Sequence, residues 1–327
     1  MTRPGISDVH AARHRIADTV HRTPLLHSAW LSELTGGDVW LKLESLQVTH
    51  SFKIRGALNA VRRLAEGVAA GAAPPAGRPQ VVTASAGNHG VALALAAQRA
   101  NVRALVFAPG AAPRTKLDAI RRHGAELDTT ASDYDGAERA ALAFAAAHGV
   151  RYVSPYNHPD VIAGAGTVAL EVLEELAGID AILVCVGGGG LVSGIAIATR
   201  ALSPATEVIG VEAAVNPAFR VALEHGRITE IPTFPTIADG LGGNLEPGSI
   251  TFDIARDLVD RWSDATEDEF RLALREIVAH EHLLAEGAGV AALAALLAGK
   301  VDVRGRRAVV IVSGANIDAA TLRCVLE

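Results

Sequence analysis

Apolar residues recur along this chain at two periods. Near the start, Val9, Ala12, Ile16 and Val20 mark one face of a helix that Ser7 can cap and Thr23-Pro24 ends. After the Gly36-Gly37 turn, Val39, Leu41 and Leu43 alternate with Trp40, Lys42 and Glu44, the period of a half-buried strand. Ile54, Ala57, Leu58, Val61 and Leu64 return to helical spacing, which puts Lys53 in the first turn of an amphipathic helix. Residues 66–79, rich in Ala, Gly and Pro, read as a surface loop or a crossing between domains.

From residue 80 the pattern is regular. Strands are predicted at 80–84, 102–108, 125–129 and 151–153, with helices near 91–100, 113–123 and 132–148 between them. Each helix is a crossover, so the four strands make a parallel sheet. Strands at 181–186, 207–211 and 308–312, again separated by helices, return the chain to a larger unit. The predicted class is α/β: two open, mostly parallel sheets flanked by helices. A small domain, 54–153, is inserted in a larger one made of 1–53 and 154–327, with Lys53 near their interface.

Composition narrows this picture. The 327 residues suit about two domains with a sizeable core. Half are hydrophobic and only 4 % aromatic, as expected of closely packed helices over a sheet. Thirty basic against 36 acidic residues give a net charge of -6, which speaks against nucleic acid or an anionic membrane as partner. The two cysteines, Cys185 and Cys324, form neither a disulfide framework nor a metal-ligand spacing, so a reducing cytoplasm is expected. The N-terminus leads into a charged helix instead of an apolar signal core. Residues 181–198 carry no charge over a length that could span a membrane, but four consecutive glycines make a continuous helix there costly.

In open parallel sheets, ligands bind beyond the carboxyl ends of the strands, and three unusual motifs stand at such ends. They are Ser85-Ala86-Gly87-Asn88-His89, Gly187-Gly188-Gly189-Gly190 before Leu191, and Ser313-Gly314-Ala315-Asn316. The glycine quartet lets amides approach an anion at a helix start. It lacks the lysine and hydroxyl residue of a nucleotide-triphosphate loop, and Val192 and Ser193 occupy the place of the last glycine in G-x-G-x-x-G. A single phosphate fits it, and a tight turn packed on a helix is the plain alternative. The Ser85–His89 motif also serves as an ordinary cap. Lys53 is a solvated first-turn lysine or something more specific. The helix macrodipole disfavours a cation there by about 0.3–1 kcal/mol and so favours the neutral amine that attacks carbonyls.

The stretch from Leu41 to Ala57, LKLESLQVTHSFKIRGA, resembles the signature of the serine/threonine dehydratases. These are pyridoxal-phosphate enzymes of the tryptophan-synthase-β-like fold (fold type II), with serine racemase a close relative, and the resemblance runs over nearly the whole chain. It implies that Lys53 holds the cofactor as a Schiff base and later moves the substrate α-proton, with Phe52 against the ring. It also implies that Gly187, Gly188, Gly189, Gly190 and Leu191 hold the phosphate, that Asn88 bonds the phenolic oxygen, and that Ser313 faces the pyridine nitrogen. Ser85 and the amides of Ala86, Gly87 and Asn88 would receive the substrate carboxylate, with His89 either a direct contact or a packed neighbour. Gly240 in Asp239-Gly240-Leu241, the Gly164-Ala165-Gly166-Thr167 run and Glu286 match cofactor-side or structural positions. The chain departs from the family pattern at His50 and Ala315, where glycine is usual, at Ala165 and at Gly287.

The implied reaction is β-elimination of water from a β-hydroxy amino acid, by default L-threonine or L-serine, to a 2-oxo acid and ammonia. A neutral hydroxyl at Ser313 makes the ring a weaker electron sink than a carboxylate would, which favours prompt loss of the leaving group. Racemase relatives carry serine at the position of Ala86, so little racemisation is expected. Glu212 begins a divalent-cation site in some relatives, which keeps such a cation open, but Asn216 and Ala218 fall where a backbone ligand and a carboxylate would be expected, so one hard oxygen ligand is missing. His50 keeps open a less common substrate such as 3-hydroxyaspartate, phenylserine or a hydroxyectoine-derived amino acid. An amino-acid racemase is a second alternative. A dinucleotide-dependent oxidoreductase with Glu212 on a ribose is a third, against which the glycine spacing argues. The resemblance also implies a homodimer, and the short stretch after Ser313 leaves no room for a regulatory domain, as in a catabolic-type enzyme without isoleucine feedback.

Overall fold

The structure, a computed structural model, describes residues 2–69 and 81–327. Helix α1 (Ile6–Ile16) buries Val9, Ala12 and Ile16 as its spacing predicts. Its cap is Gly5, not Ser7: the Asp8 carboxylate reaches back to accept from the Gly5 N–H at 2.9 Å. The helix also stops before Val20. A three-residue strand, β1 (Leu25–His27), and a short helix, α2 (Ala29–Thr35), follow, and neither was expected. Ser28 caps α2 by accepting from Leu31 N–H at 3.0 Å, and Gly36 closes it with a left-handed φ of 69°. Strand β2 (Asp38–Leu43) and helix α3 (Lys53–Ala69) stand where the periodicity put them. Residues 66–69 continue α3 instead of opening a loop. The rest of that expected loop, and residue 80 of the next strand, lie outside the described residues.

The regular alternation holds. Strands β3 (Val81–Ala84), β4 (Ala104–Phe107), β5 (Glu126–Asp128) and β6 (Arg151–Tyr152) are joined by α4 (Asn88–Arg99), α5 (Arg114–Arg122) and α6 (Tyr134–His148). They form a four-stranded parallel sheet in the order β5-β4-β3-β6. Helix α7 (Pro159–Glu175) leads to β7 (Ala181–Cys185), α8 (Gly190–Leu202), β8 (Glu207–Ala213), α9 (Ala218–His225) and α10 (Ile250–Leu258). Strand β9 (Arg261–Ala265), α11 (Glu267–Glu281), α12 (Ala291–Leu297), β10 (Arg307–Val312) and α13 (Ala319–Leu326) complete the chain. The second sheet runs β1-β2-β10-β7-β8-β9, parallel throughout except for the β1 edge. Its inner strands β7 and β10 are continuous apolar runs because helices cover both faces. Among the described residues no helix is long and apolar enough to cross a membrane.

Helix α3 joins the two halves. Its apolar face, Ile54, Ala57, Leu58 and Val61, packs with α4 and the four-stranded sheet. Its other side meets α7 backbone to backbone, since a Cβ on Gly164 would stand 2.6 Å from Gly56 Cα. Lys53 therefore starts a helix held by both layers.

Candidate active site

Lys53 follows a segment tied to the end of β10. Phe52 N–H donates to Ser313 O at 3.0 Å and Ala315 N–H to His50 O at 2.8 Å, with Ser51 bridged to Gly314. His50 has a left-handed φ of 55°, a conformation glycine adopts freely, which gives a physical reason for glycine at this position. The Lys53 Nζ donates to Pro155 O at 3.0 Å and lies 5.0 Å from the Phe52 ring centroid. Burial pushes this amine down to about 8, with Cys185 and Glu286 acting weakly in the other direction.

Two residues along, Arg55 is fully buried and spends its guanidinium on two carboxylates. Its Nε donates to Glu44 at 2.7 Å and its Nη1 to Glu171 at 2.6 Å. Lys42, equally buried, donates to Glu171 at 2.6 Å and to Thr23 O at 2.7 Å. Thr167, in the run read as structural, accepts from Arg55 at 3.1 Å. Two cations and two anions balance in a buried cluster, which fixes the first turn of α3 against β2 and α7.

The Ser85–His89 loop ends β3 and starts α4. Asn88 donates through Nδ2 to Glu286 at 2.5 Å, while its Oδ1 accepts from Asn316 Nδ2 at 2.6 Å. Asn316 also donates to Thr49 O at 2.9 Å, so one chain of amides joins the lysine segment, the β10 loop and α4. Glu286 is pushed up to about 7, first by burial and then by the charge of Asp239. Ser85 Oγ accepts from Gly87 N–H at 3.2 Å, and Ser85, Ala86 and Gly87 remain partly exposed. His89 is buried with Nε2 3.2 Å from Val153 O. A carbonyl only accepts, so that nitrogen carries the proton and Nδ1, without a partner among the described residues, is a bare acceptor. Burial, with Lys53 nearby, pushes His89 down to about 3. A neutral acceptor repels a carboxylate, which favours the packed alternative for His89 over a direct contact.

The glycine quartet follows β7. Gly189 has φ 85°, and a Cβ there would meet the Phe219 ring at 2.4 Å. A Cβ on Gly188 would stand 2.2 Å from the Tyr156 ring, and one on Gly187 2.5 Å from Gly240 O. Tyr156 is the wall that sequence reasoning missed; its hydroxyl accepts from Glu246 N–H at 2.7 Å. The first helical bond of α8 runs from Ser193 N–H to Gly189 O, so the amides of Gly190, Leu191 and Val192 precede it and are free for an anion. Ser313 is buried at the end of β10, next to β7. Lys116 of α5 donates to Asp239 beside Gly240 at 2.6 Å, linking the four-stranded half to the wall of the glycine loop.

Glu212 lies outside this group. Both its oxygens cap α9, accepting from Phe219 N–H at 2.7 Å and Arg220 N–H at 2.9 Å. Among the described residues no three His, Cys, Asp or Glu side chains gather as for a metal. The remainder suits pyridoxal phosphate: a cradle that a Cβ would fill and a buried serine hydroxyl stand at the ends of the neighbouring strands β7 and β10, with a desolvated amine on the segment tied to the end of β10.

Known proteins agree. The chain is 39 % identical over 313 residues to the L-threonine ammonia-lyase of Thermotoga maritima, covering 96 % of this chain and 76 % of that protein. Maize serine racemase superposes with a TM-score of 0.91 at 31 % identity, over 99 % of this chain and 97 % of that one. Processed threonine deaminase isoform 2 from Solanum lycopersicum gives 0.89 at 31 % identity, over 98 % and 91 %. The profile of the family described as pyridoxal-phosphate dependent enzyme matches residues 16–314. A match of that length takes in strands of both sheets, the Lys53 segment and the loops after β3 and β7, and the chain therefore belongs to the pyridoxal-phosphate dependent enzymes.

Proposed function

We propose that the protein is an ammonia-lyase that eliminates water from L-threonine or L-serine and releases a 2-oxo acid and ammonia. The observation that carries this reading is the Lys53 amine, desolvated at a helix start between the Pro155 carbonyl and the Phe52 ring. The relatives named L-threonine ammonia-lyase and threonine deaminase support the substrate class.

Bound pyridoxal phosphate supplies an electron sink for the pair left on the α-carbon when its proton departs. Lys53 carries the cofactor between turnovers and, once displaced, accepts the α-proton on Nζ. The amides of Gly190, Leu191 and Val192 receive the phosphate, with Tyr156 and Phe219 keeping the loop in shape. Asn88 has a second Nδ2 proton beyond the one given to Glu286, and it orients the phenolic oxygen. Ser313 meets the pyridine nitrogen. Ser85 and the free amides of the first turn of α4 bind the carboxylate. Residues 54–153 act as one domain and 1–53 with 154–327 as the other, so the reacting groups come from both. A homodimer in a reducing cytoplasm belongs to the same reading, in keeping with two free cysteines.

Elimination is favoured over the racemase reading by Ala86. Racemisation needs a second acid/base group opposite Lys53, and a methyl group carries no such proton. Loading the protein with pyridoxal phosphate should produce a visible band that borohydride bleaches, and L-threonine or L-serine should then yield oxo acid. A bleached band with no oxo acid from either amino acid would overturn the substrate assignment.

A further inference from the structure

Ser313 is held at both ends of its backbone: its carbonyl accepts from Phe52 N–H at 3.0 Å and its N–H donates to Gly289 O at 3.3 Å. The side chain keeps one freedom, the direction of its hydroxyl proton. Among the described residues the partner of Oγ is Cys185 Sγ at 3.2 Å, from the last residue of the adjacent strand β7. Cys185 is buried, and burial pushes its thiol up to about 11, so it keeps its proton.

A hydroxyl has one proton and two lone pairs, and sulfur is a weak acceptor. With the thiol proton on one lone pair of Ser313 Oγ, the serine proton cannot point back at sulfur and finds no acceptor among the described residues. We propose that Cys185 is a positioning residue: by donating to Ser313 Oγ it turns the serine's own proton toward the pyridine nitrogen of the bound cofactor. Ser313 then meets that nitrogen as a donor, which requires the nitrogen to be unprotonated, because two protons cannot share one line. No bond is made or broken. The thiol thereby disfavours a protonated ring and with it a long-lived carbanion. This rests on the reading that places Ser313 at the pyridine nitrogen.

The test compares the loaded wild type with Cys185→Ala, Cys185→Ser and Ser313→Ala by two readouts other than turnover: the dissociation constant of pyridoxal phosphate, and the pH dependence of the visible absorption and fluorescence of the bound cofactor. In Cys185→Ala the freed Oγ can accept from a protonated ring. A spectral titration absent from the wild type is expected, with affinity about 3- to 10-fold weaker. Cys185→Ser restores a donor and should restore the wild-type spectrum. If Ser313→Ala changes both readouts while Cys185→Ala matches the wild type, Cys185 only fills space and the proposal fails alone. If Ser313→Ala also matches the wild type, the placement of Ser313 fails and the proposal goes with it. A changed Cys185→Ala that Cys185→Ser does not rescue assigns the effect to volume and equally overturns it. Should Cys185→Ala not fold, Cys185→Val, which fills the site without a donor, takes its place.

Discussion

The Nζ of Lys53 donates to the carbonyl oxygen of Pro155 at 3.0 Å across 102 residues of sequence, and burial at that place shifts the pKa of the amine before any cofactor arrives. Its value is lowered from 10.5 to about 8, so the amine is protonated below that pH and neutral above it. Covalent capture of pyridoxal phosphate by the apoprotein should therefore speed up through pH 8 and then level off. Between pH 7 and 9 the neutral fraction rises about tenfold, against about a hundredfold for an unshifted lysine. Stopped-flow absorbance distinguishes the two curves. Lys53→Ala should stay folded and lose both the covalent link and turnover.

At the glycine loop, the Tyr156 ring occupies the space a side chain on Gly188 would need. Gly188→Ala should weaken cofactor binding by about tenfold or more, and Tyr156→Ala in the same chain should recover part of the loss. Gly189→Ala should not be recovered in this way, because its positive φ penalises any side chain. Equilibrium titration of the four variants measures the coupling, and simple additivity of Gly188→Ala with Tyr156→Ala would mean that the ring is not the wall.

Partly converted L-serine should contain little D-serine, since Ala86 offers no proton to the face opposite Lys53. Chiral chromatography settles the point. D-serine forming as fast as pyruvate would show that another group serves that face and would restore the racemase reading.

Breaking the buried ion cluster should be expensive. Glu171→Gln leaves Glu44 as the one carboxylate on Arg55 and leaves Lys42 with the Thr23 carbonyl and no carboxylate, and roughly 3–5 kcal/mol of stability should be lost. Urea denaturation gives the value. A loss below about 1 kcal/mol would mean that the cluster is hydrated and that Arg55 does not anchor α3.

The chemistry-bearing motifs were legible because each breaks a local rule: a lysine at a helix start, four glycines after a buried strand, a serine at the end of another. The residues that hold them were not. Arg55, Glu44 and Glu171 look like surface residues in a one-dimensional pattern, because neutralisation of Arg55 depends on Glu44, 11 residues away across a change of element, and on Glu171, 116 residues away. Tyr156 follows a proline in a stretch with no periodicity, and its contact with Gly188 exists only in three dimensions. Strand β9, Arg-Trp-Ser-Asp-Ala, is an edge strand that leaves most of its side chains partly exposed and so lacks a clean alternation. Strand β1 is only three residues long. His89 was left between two roles, and its bond to the Val153 carbonyl, which favours the packed one, exists only in three dimensions.

The amide chain from Thr49 through Asn316 to Asn88 also has a bearing on synthesis. Asn316 follows Thr49 by 267 residues. At ribosomal speeds that is a delay of roughly 15–50 s, during which Lys53 has been made but the loop that pins its segment has not. Until then the lysine is an ordinary solvated amine with little neutral form. Capture of the cofactor in the pinned geometry thus waits until Asn316 has been made.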